Sequence, residues 1–168
     1  GNYIIFHFFL TISFLLNLGI AKSIVISINN FPKYKKEVAY EGIKYTLYIC
    51  LFILIFLSIF LLFFEKLFSI EKLFLLKYCS LGIIISLFFL CLESIFLGNE
   101  NFKFSSFFNF IFYSVSLSGP SLILIFYHNL TLENLILISI SIKLIVTLIM
   151  IFVLIEKKLI KKNIKTTL

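Results

Sequence analysis

The chain contains no tryptophan, no arginine and no aspartate, and just 14% of its 168 residues carry a charge. With no Asp, and no two of its eight Glu sharing a helical face inside an apolar stretch, paired-carboxylate chemistry has no candidate. Six glycines form no phosphate-cradling loop, the two histidines stand apart, and no nucleophile has a base at a plausible spacing. No enzyme is expected, and no cofactor or metal is implied. The three cysteines, Cys50, Cys79 and Cys91, fit neither a zinc site nor a disulfide framework and read as small core residues. All 15 basic residues are Lys, beside abundant Phe, Ile and Asn. That bias looks like an AT-rich genome, so no chemistry is read into the substitution of Lys for Arg.

What is present is apolar. Hydrophobic residues make up 61% of the chain, 23 of them Phe, and the mean hydropathy is +1.13. Soluble domains sit near half apolar and a quarter charged, without uncharged runs of about 20 residues. The composition therefore predicts an all-α, polytopic membrane helix bundle. A net charge of +7 is a feature of nucleic-acid binders, but here the Lys lie between apolar spans, where the positive-inside rule explains them. No nucleic-acid partner is expected. There is no signal-peptide pattern, and the chain opens at Gly1 directly in apolar sequence, so its natural start is expected upstream.

Five spans are predicted, at residues 3–28, 45–64, 73–97, 107–127 and 135–155, within a bundle covering 1–155; a Lys-rich tail occupies 156–168. Each meets the roughly 20 residues that a 30 Å hydrocarbon slab requires. Pro32 is expected to end the first span, followed by a polar loop. If that loop is cytoplasmic, ten Lys fall on the cytoplasmic side against three outside (Lys66, Lys72 and Lys77). The first residue then lies outside and the tail inside, and if the intact protein starts in the cytoplasm an odd number of spans, most simply one, is expected upstream.

Polar residues recur inside these spans. On the first, His7, Thr11, Lys22 and Asn29 share one narrow sector at about 100° per residue. On the fifth, Lys143 stands near the midpoint between Ser139 and Thr147, a continuous face expected to line a watery cavity. Such a lysine costs roughly 2.5–3.5 kcal/mol on insertion scales. Lys22 and Glu93 lie at similar depth, about 10 Å from mid-membrane at 1.5 Å per residue. They either reach the interface separately or face each other. Glu93 shares its face with Cys79, Gly82 and Ser86. The fourth span carries Asn109, Tyr113, Ser116, Pro120 and Tyr127 on one side, and Gly119-Pro120 is its candidate hinge. The second span has no charge and is expected to face lipid, with the others around a central polar space. Asn129-Leu130-Thr131 matches a glycosylation sequon.

The order of these features resembles the polysaccharide (O-antigen type) flippases of the multidrug/oligosaccharidyl-lipid/polysaccharide exporter superfamily. Asn17-Leu18-Gly19, then Ile20-Ala21-Lys22-Ser23 and the Lys33–Lys36 cluster resemble the second helix of that family, with Asn17 where many members carry Asp. LESIFLGNENFKFSSFFNFIF and SLSGPSLILIFYHNLTLENLILISISIKL resemble its fourth-to-fifth turn and its Gly-Pro-bearing fifth and basic sixth helices. The resemblance spans nearly the whole chain as helices two to six. It implies most of one six-helix lobe of a two-lobe transporter in the bacterial inner membrane, with the C-terminal lobe of the same chain as partner. The cargo would be a polyprenyl-diphosphate-linked oligosaccharide moved by alternating access. Membrane lipids surround it, and a glycan polymerase and glycosyltransferases are possible partners. The candidate substrate-binding residues are Lys143, Lys22, Glu93, Asn17, Asn109, Tyr113, Ser139 and Thr147. Other readings stay open: a cation-coupled drug exporter, a peptidoglycan-precursor flippase, or a non-transporting scaffold for glycan assembly.

Overall fold

The computed structural model describes residues 19–64, 70–126 and 131–160. His7, Thr11, Asn17, Tyr127, Asn129 and the tail from 161 lie outside them. The described residues are helical throughout, without strands: an all-α bundle. Its elements are α1 (Ile20–Asn30), a 3-10 turn (Pro32–Tyr34), α2 (Lys35–Phe64), α3 (Ile70–Gly98), α4 (Phe102–Asn109), a π-helical segment (Phe110–Val115), α5 (Ser116–Phe126) and α6 (Leu132–Glu156). Among the described residues, three stretches are long and apolar enough to cross a membrane: Pro32–Phe56, Lys77–Gly98 and Leu132–Glu156. The protein is membrane-embedded. The expected span at 107–127 falls on α4, the π segment and α5, whose interruptions keep each helix short.

Helix limits depart from the hydropathy limits in a consistent way. The segment 35–44, expected as a polar loop, is the first three turns of α2, and α4 begins at Phe102 rather than 107. Lys and Glu are good helix formers, so a helix need not stop where the apolar run stops. Pro32 opens the 3-10 turn, where its missing N–H costs nothing. The continuous helix expected over 3–28 does not pass through Gly19, which sits in the left-handed region at φ 76°. Glycine takes that conformation because it has no Cβ to clash.

Helix α3 is the hub, packing against α1, α2, α4 and α6. The main core gathers Ile24 and Ile28 of α1, Phe89, Leu92, Ile95 and Phe96 of α3, Phe108 and Phe112, and Val146, Met150 and Leu154 of α6. A helix, not the expected polar space, therefore occupies the centre. Helix α2 shows outward Leu51, Phe52, Ile55, Phe56 and Phe63, as a lipid-facing helix should, while Ala39, Thr46 and Cys50 are buried. All three cysteines are free and buried, agreeing with their reading as core.

Two short devices set the site. Helix α3 ends in a tight turn, with Glu100 at φ 60° and the Asn101 N–H donating to the Phe96 carbonyl at 2.9 Å. That turn folds α4 back along α3. Thr131, the last residue of the sequon, caps α6: its hydroxyl oxygen accepts from the Asn134 N–H at 3.3 Å, with Glu133 in the first turn.

Candidate functional site

The polar face of α6 survives folding. Ser139 (0% exposed), Lys143 (3%) and Thr147 (6%) all point inward. The Thr147 hydroxyl donates to the Lys143 carbonyl at 2.8 Å, which leaves the ammonium as the group on offer. Its contact is aromatic: Nζ lies 4.9 Å from the centre of the Phe112 ring. Among the described residues no carboxylate forms an ion pair with it, and the pair that does occur, Lys44–Glu41 at 3.6 Å, is on exposed α2 surface. A desolvated cation–π contact contributes about 2 kcal/mol. That nearly offsets the roughly 2.5–3.5 kcal/mol cost of a mid-helix lysine. Lys143 can thus stay buried without a counter-ion.

Phe112 is held by α3. Its ring stacks on Phe89, with centroids 3.8 Å apart and planes 15° apart, and Tyr113 meets both rings edge-on. Ser139 Oγ and Ser86 Oγ, both buried, have no hydrogen-bond partner among the described residues. Where an open, watery cavity is expected, Ser139, Lys143 and Thr147 are buried, and the Lys143 ammonium faces an aromatic ring. The reason is Phe112, whose ring supplies to the ammonium what water would otherwise have to supply.

Closer to the Gly98 end of α3, a second polar group forms around Glu93. Its Oε1 accepts from the Asn109 side-chain N–H at 2.7 Å and from the Ser105 hydroxyl at 3.3 Å. These bonds tie α3 to α4 immediately below the π segment. Lys22 does not join them. It is exposed on α1, with no ion pair to Glu93, so the two residues do not face each other. Cys79, Gly82 and Ser86, on the Glu93 face, are buried as expected.

No protein-family model, curated protein or solved structure matches this chain. The site must be read from its own geometry.

Of the predicted residues, the structure joins Asn109 to Glu93 and brings Lys143 and Tyr113 to Phe112, with Ser139 and Thr147 buried one turn before and after Lys143. It separates Lys22, and Asn17 lies outside the described residues. Pro120 is buried inside α5. Gly119 has ordinary space around it: an added Cβ would meet Ile142 Cδ1 at 3.6 Å. Close packing therefore does not demand glycine there. Phe112, Phe89 and Ser105 are the functional candidates that sequence reasoning missed. Ser105 had a usable signal, because a tight turn places residues a few positions before and after it opposite each other. Phe112 had none, being one of 23 phenylalanines.

The described residues also form an open groove of about 740 Å³ between α1 and α2, walled by Ile20, Ile24, Val38 and Ile49 and edged by Glu37 and Glu41. It lies on other elements than Lys143. No three His, Cys, Asp or Glu side chains cluster among the described residues.

Proposed function

We propose that the chain belongs to a translocator of polyprenyl-diphosphate-linked oligosaccharide in the bacterial inner membrane, forming helices two to six of a six-helix lobe. The observation that carries this reading is Lys143. A buried ammonium near mid-span, held by an aromatic ring and, among the described residues, not by a carboxylate, keeps its charge available to an anionic cargo. The order of Asn17-Leu18-Gly19, the Lys33–Lys36 cluster, Gly119-Pro120 and Lys143 supports the same family. The partners would be the cargo lipid, membrane lipids, the second lobe of the transporter, and the polymerase and glycosyltransferases of glycan assembly.

Lys143→Ala in the intact protein is expected to abolish surface-glycan export while membrane levels of the protein stay normal. Immunoblotting of membranes beside glycan staining reads both. Unchanged export removes Lys143 from the mechanism. The cation-coupled alternative would rest on Glu93, but that carboxylate already takes two hydrogen bonds that brace α4, which favours a structural role.

A further inference from the structure

Two defects in one helical ladder lie a turn apart, and the residue that covers Lys143 sits inside the first. The π segment Phe110–Val115 pairs each N–H with the carbonyl five residues back, so it carries one residue more than an α-helix needs. Pro120, inside α5, has no N–H to donate to the Ser116 carbonyl. Between and around these defects, serine hydroxyls bond back four residues. Ser116 Oγ donates to the Phe112 carbonyl, Ser118 Oγ to Ser114 O at 2.7 Å and Ser121 Oγ to Leu117 O at 3.5 Å. A carbonyl with a second donor loses less when its backbone partner changes, and such back-bonding loosens helices. Below the segment, Glu93 pins Asn109 to α3.

We propose that Phe112 is a plug over Lys143, on the buried face of α6 that Ser139 and Thr147 share with it, and that moving the extra residue along the helix toward Pro120 withdraws it. Each residue the wide turn passes rotates by about 100°, the angular step of one residue. Phe112 then leaves both the Phe89 stack and the Lys143 ammonium, and water reaches Ser139 and Lys143. Glu93 holds α4 still, so the rotation is confined to the residues above Asn109. The proposal rests on the translocation reading for what enters the uncovered face, but the motion is tested without any cargo.

The test uses single cysteines in the full chain, with Cys50, Cys79 and Cys91 replaced by Ala. Membranes are treated with a charged, water-soluble maleimide. Ser139→Cys and Ser94→Cys are near-isosteric and start from equal burial, 0% and 3% exposed. The Ser139→Cys variant is expected to react at least tenfold faster than Ser94→Cys. Adding Phe112→Ala should speed Ser139→Cys at least a further threefold and leave Ser94→Cys unchanged, while Phe107→Ala, at an exposed ring, changes neither. Equal rates at the two positions overturn the proposal, as does acceleration by Phe107→Ala equal to that by Phe112→Ala. If the Phe112→Ala chain fails to insert, the ratio of Ser139→Cys to Ser94→Cys decides alone. Fast labelling with unaffected export in Lys143→Ala would keep the plug and discard the cargo.

Discussion

Helices α2 and α3 are nearly the same length and each is apolar enough to cross a membrane, yet they meet opposite fates. Two-thirds of the apolar window of α3 (67%) is buried in the bundle, against 22% for α2. Apolarity cannot make this choice, because lipid is as apolar as a helix surface and packing, not water exclusion, drives helix association. What differs is the distribution of small and polar residues. On α3, Cys79, Ser80, Gly82, Ser86, Cys91, Ser94 and Gly98 punctuate the stretch from 79 to 98. On α2, Ala39, Gly42, Thr46 and Cys50 form one stripe in its first half, and that stripe is the buried side; the one small residue after it, Ser58, is exposed. Beyond Cys50 the exposed Leu51, Phe52, Ile55 and Phe56 leave α2 facing lipid. Small residues let backbones approach, and where they run out the helix leaves the bundle.

The sharpest way to break this contrast is to remove one large ring from each helix. Phe96 is fully buried between Phe104 and Phe108, with ring centroids 6.1 and 6.0 Å away. Phe52 is 71% exposed. Phe96→Ala is expected to cost roughly 2 kcal/mol or more, since a cavity in a packed core is only partly refilled. Phe52→Ala should stay within about 0.5 kcal/mol, as surface substitutions do. Thermal unfolding of the two variants in the same detergent measures the gap. Equal destabilisation would mean that α2 also packs against protein on its outer face.

Much of this arrangement was legible in the residues. Composition is enough to predict an all-helical membrane bundle, and the 100° step recovers the inward faces of Lys143, Glu93 and Asn109. The outward apolar face of α2 follows from the lack of charge over 45–64 and its run of large residues. Helix limits were less legible because helix stability continues past the hydrocarbon edge, as Lys35–Lys44 of α2 shows. Equal depth pointed Glu93 toward Lys22, whereas the tight turn at Asn99–Asn101 brings Ser105 and Asn109 to it. Depth says which residues can meet, and chain connection says which do. The π segment could not be read at all: one extra residue in a helix leaves composition and hydropathy unchanged. With it went the role of Phe112.

Glycine offers a finer test of why α3 is central. A Cβ added at Gly98 would lie 3.0 Å from Ile28 Cβ and Cδ1. Ile28 is β-branched and fully buried, so its Cβ cannot step aside without moving α1. At Gly42 on α2 the added atom would meet Ile24 Cδ1 at 2.7 Å, a shorter distance but to the tip of a side chain that can turn. Gly98→Ala is therefore expected to destabilise by about 1–3 kcal/mol, the usual cost of overpacking. Gly42→Ala should cost less than about 1 kcal/mol, because helix propensity favours Ala by nearly that amount. The reverse order in detergent melts would show that α1 is held by α2 rather than by α3.

The smallest expected effect separates the polar role of α3 from its packing role. Glu93 Oε1 is the acceptor for both Asn109 and Ser105. Glu93→Gln keeps an oxygen at that place, so it should cost no more than about 1 kcal/mol, the worth of the charge-assisted part of two bonds. Glu93→Ala removes the acceptor and strands a half-buried amide, which raises the cost to about 1–3 kcal/mol. The pair of variants decides what the acid is for. If Glu93→Gln melts with the unsubstituted protein but stops glycan export, the carboxylate works in transport and the hydrogen bonds are incidental. If Glu93→Gln is silent in both measurements and Glu93→Ala is not, the residue braces α4 beneath the π segment. The 2.7 Å bond to Asn109 favours the second result, because a carboxylate already holding a neighbouring helix is poorly placed to carry protons across it.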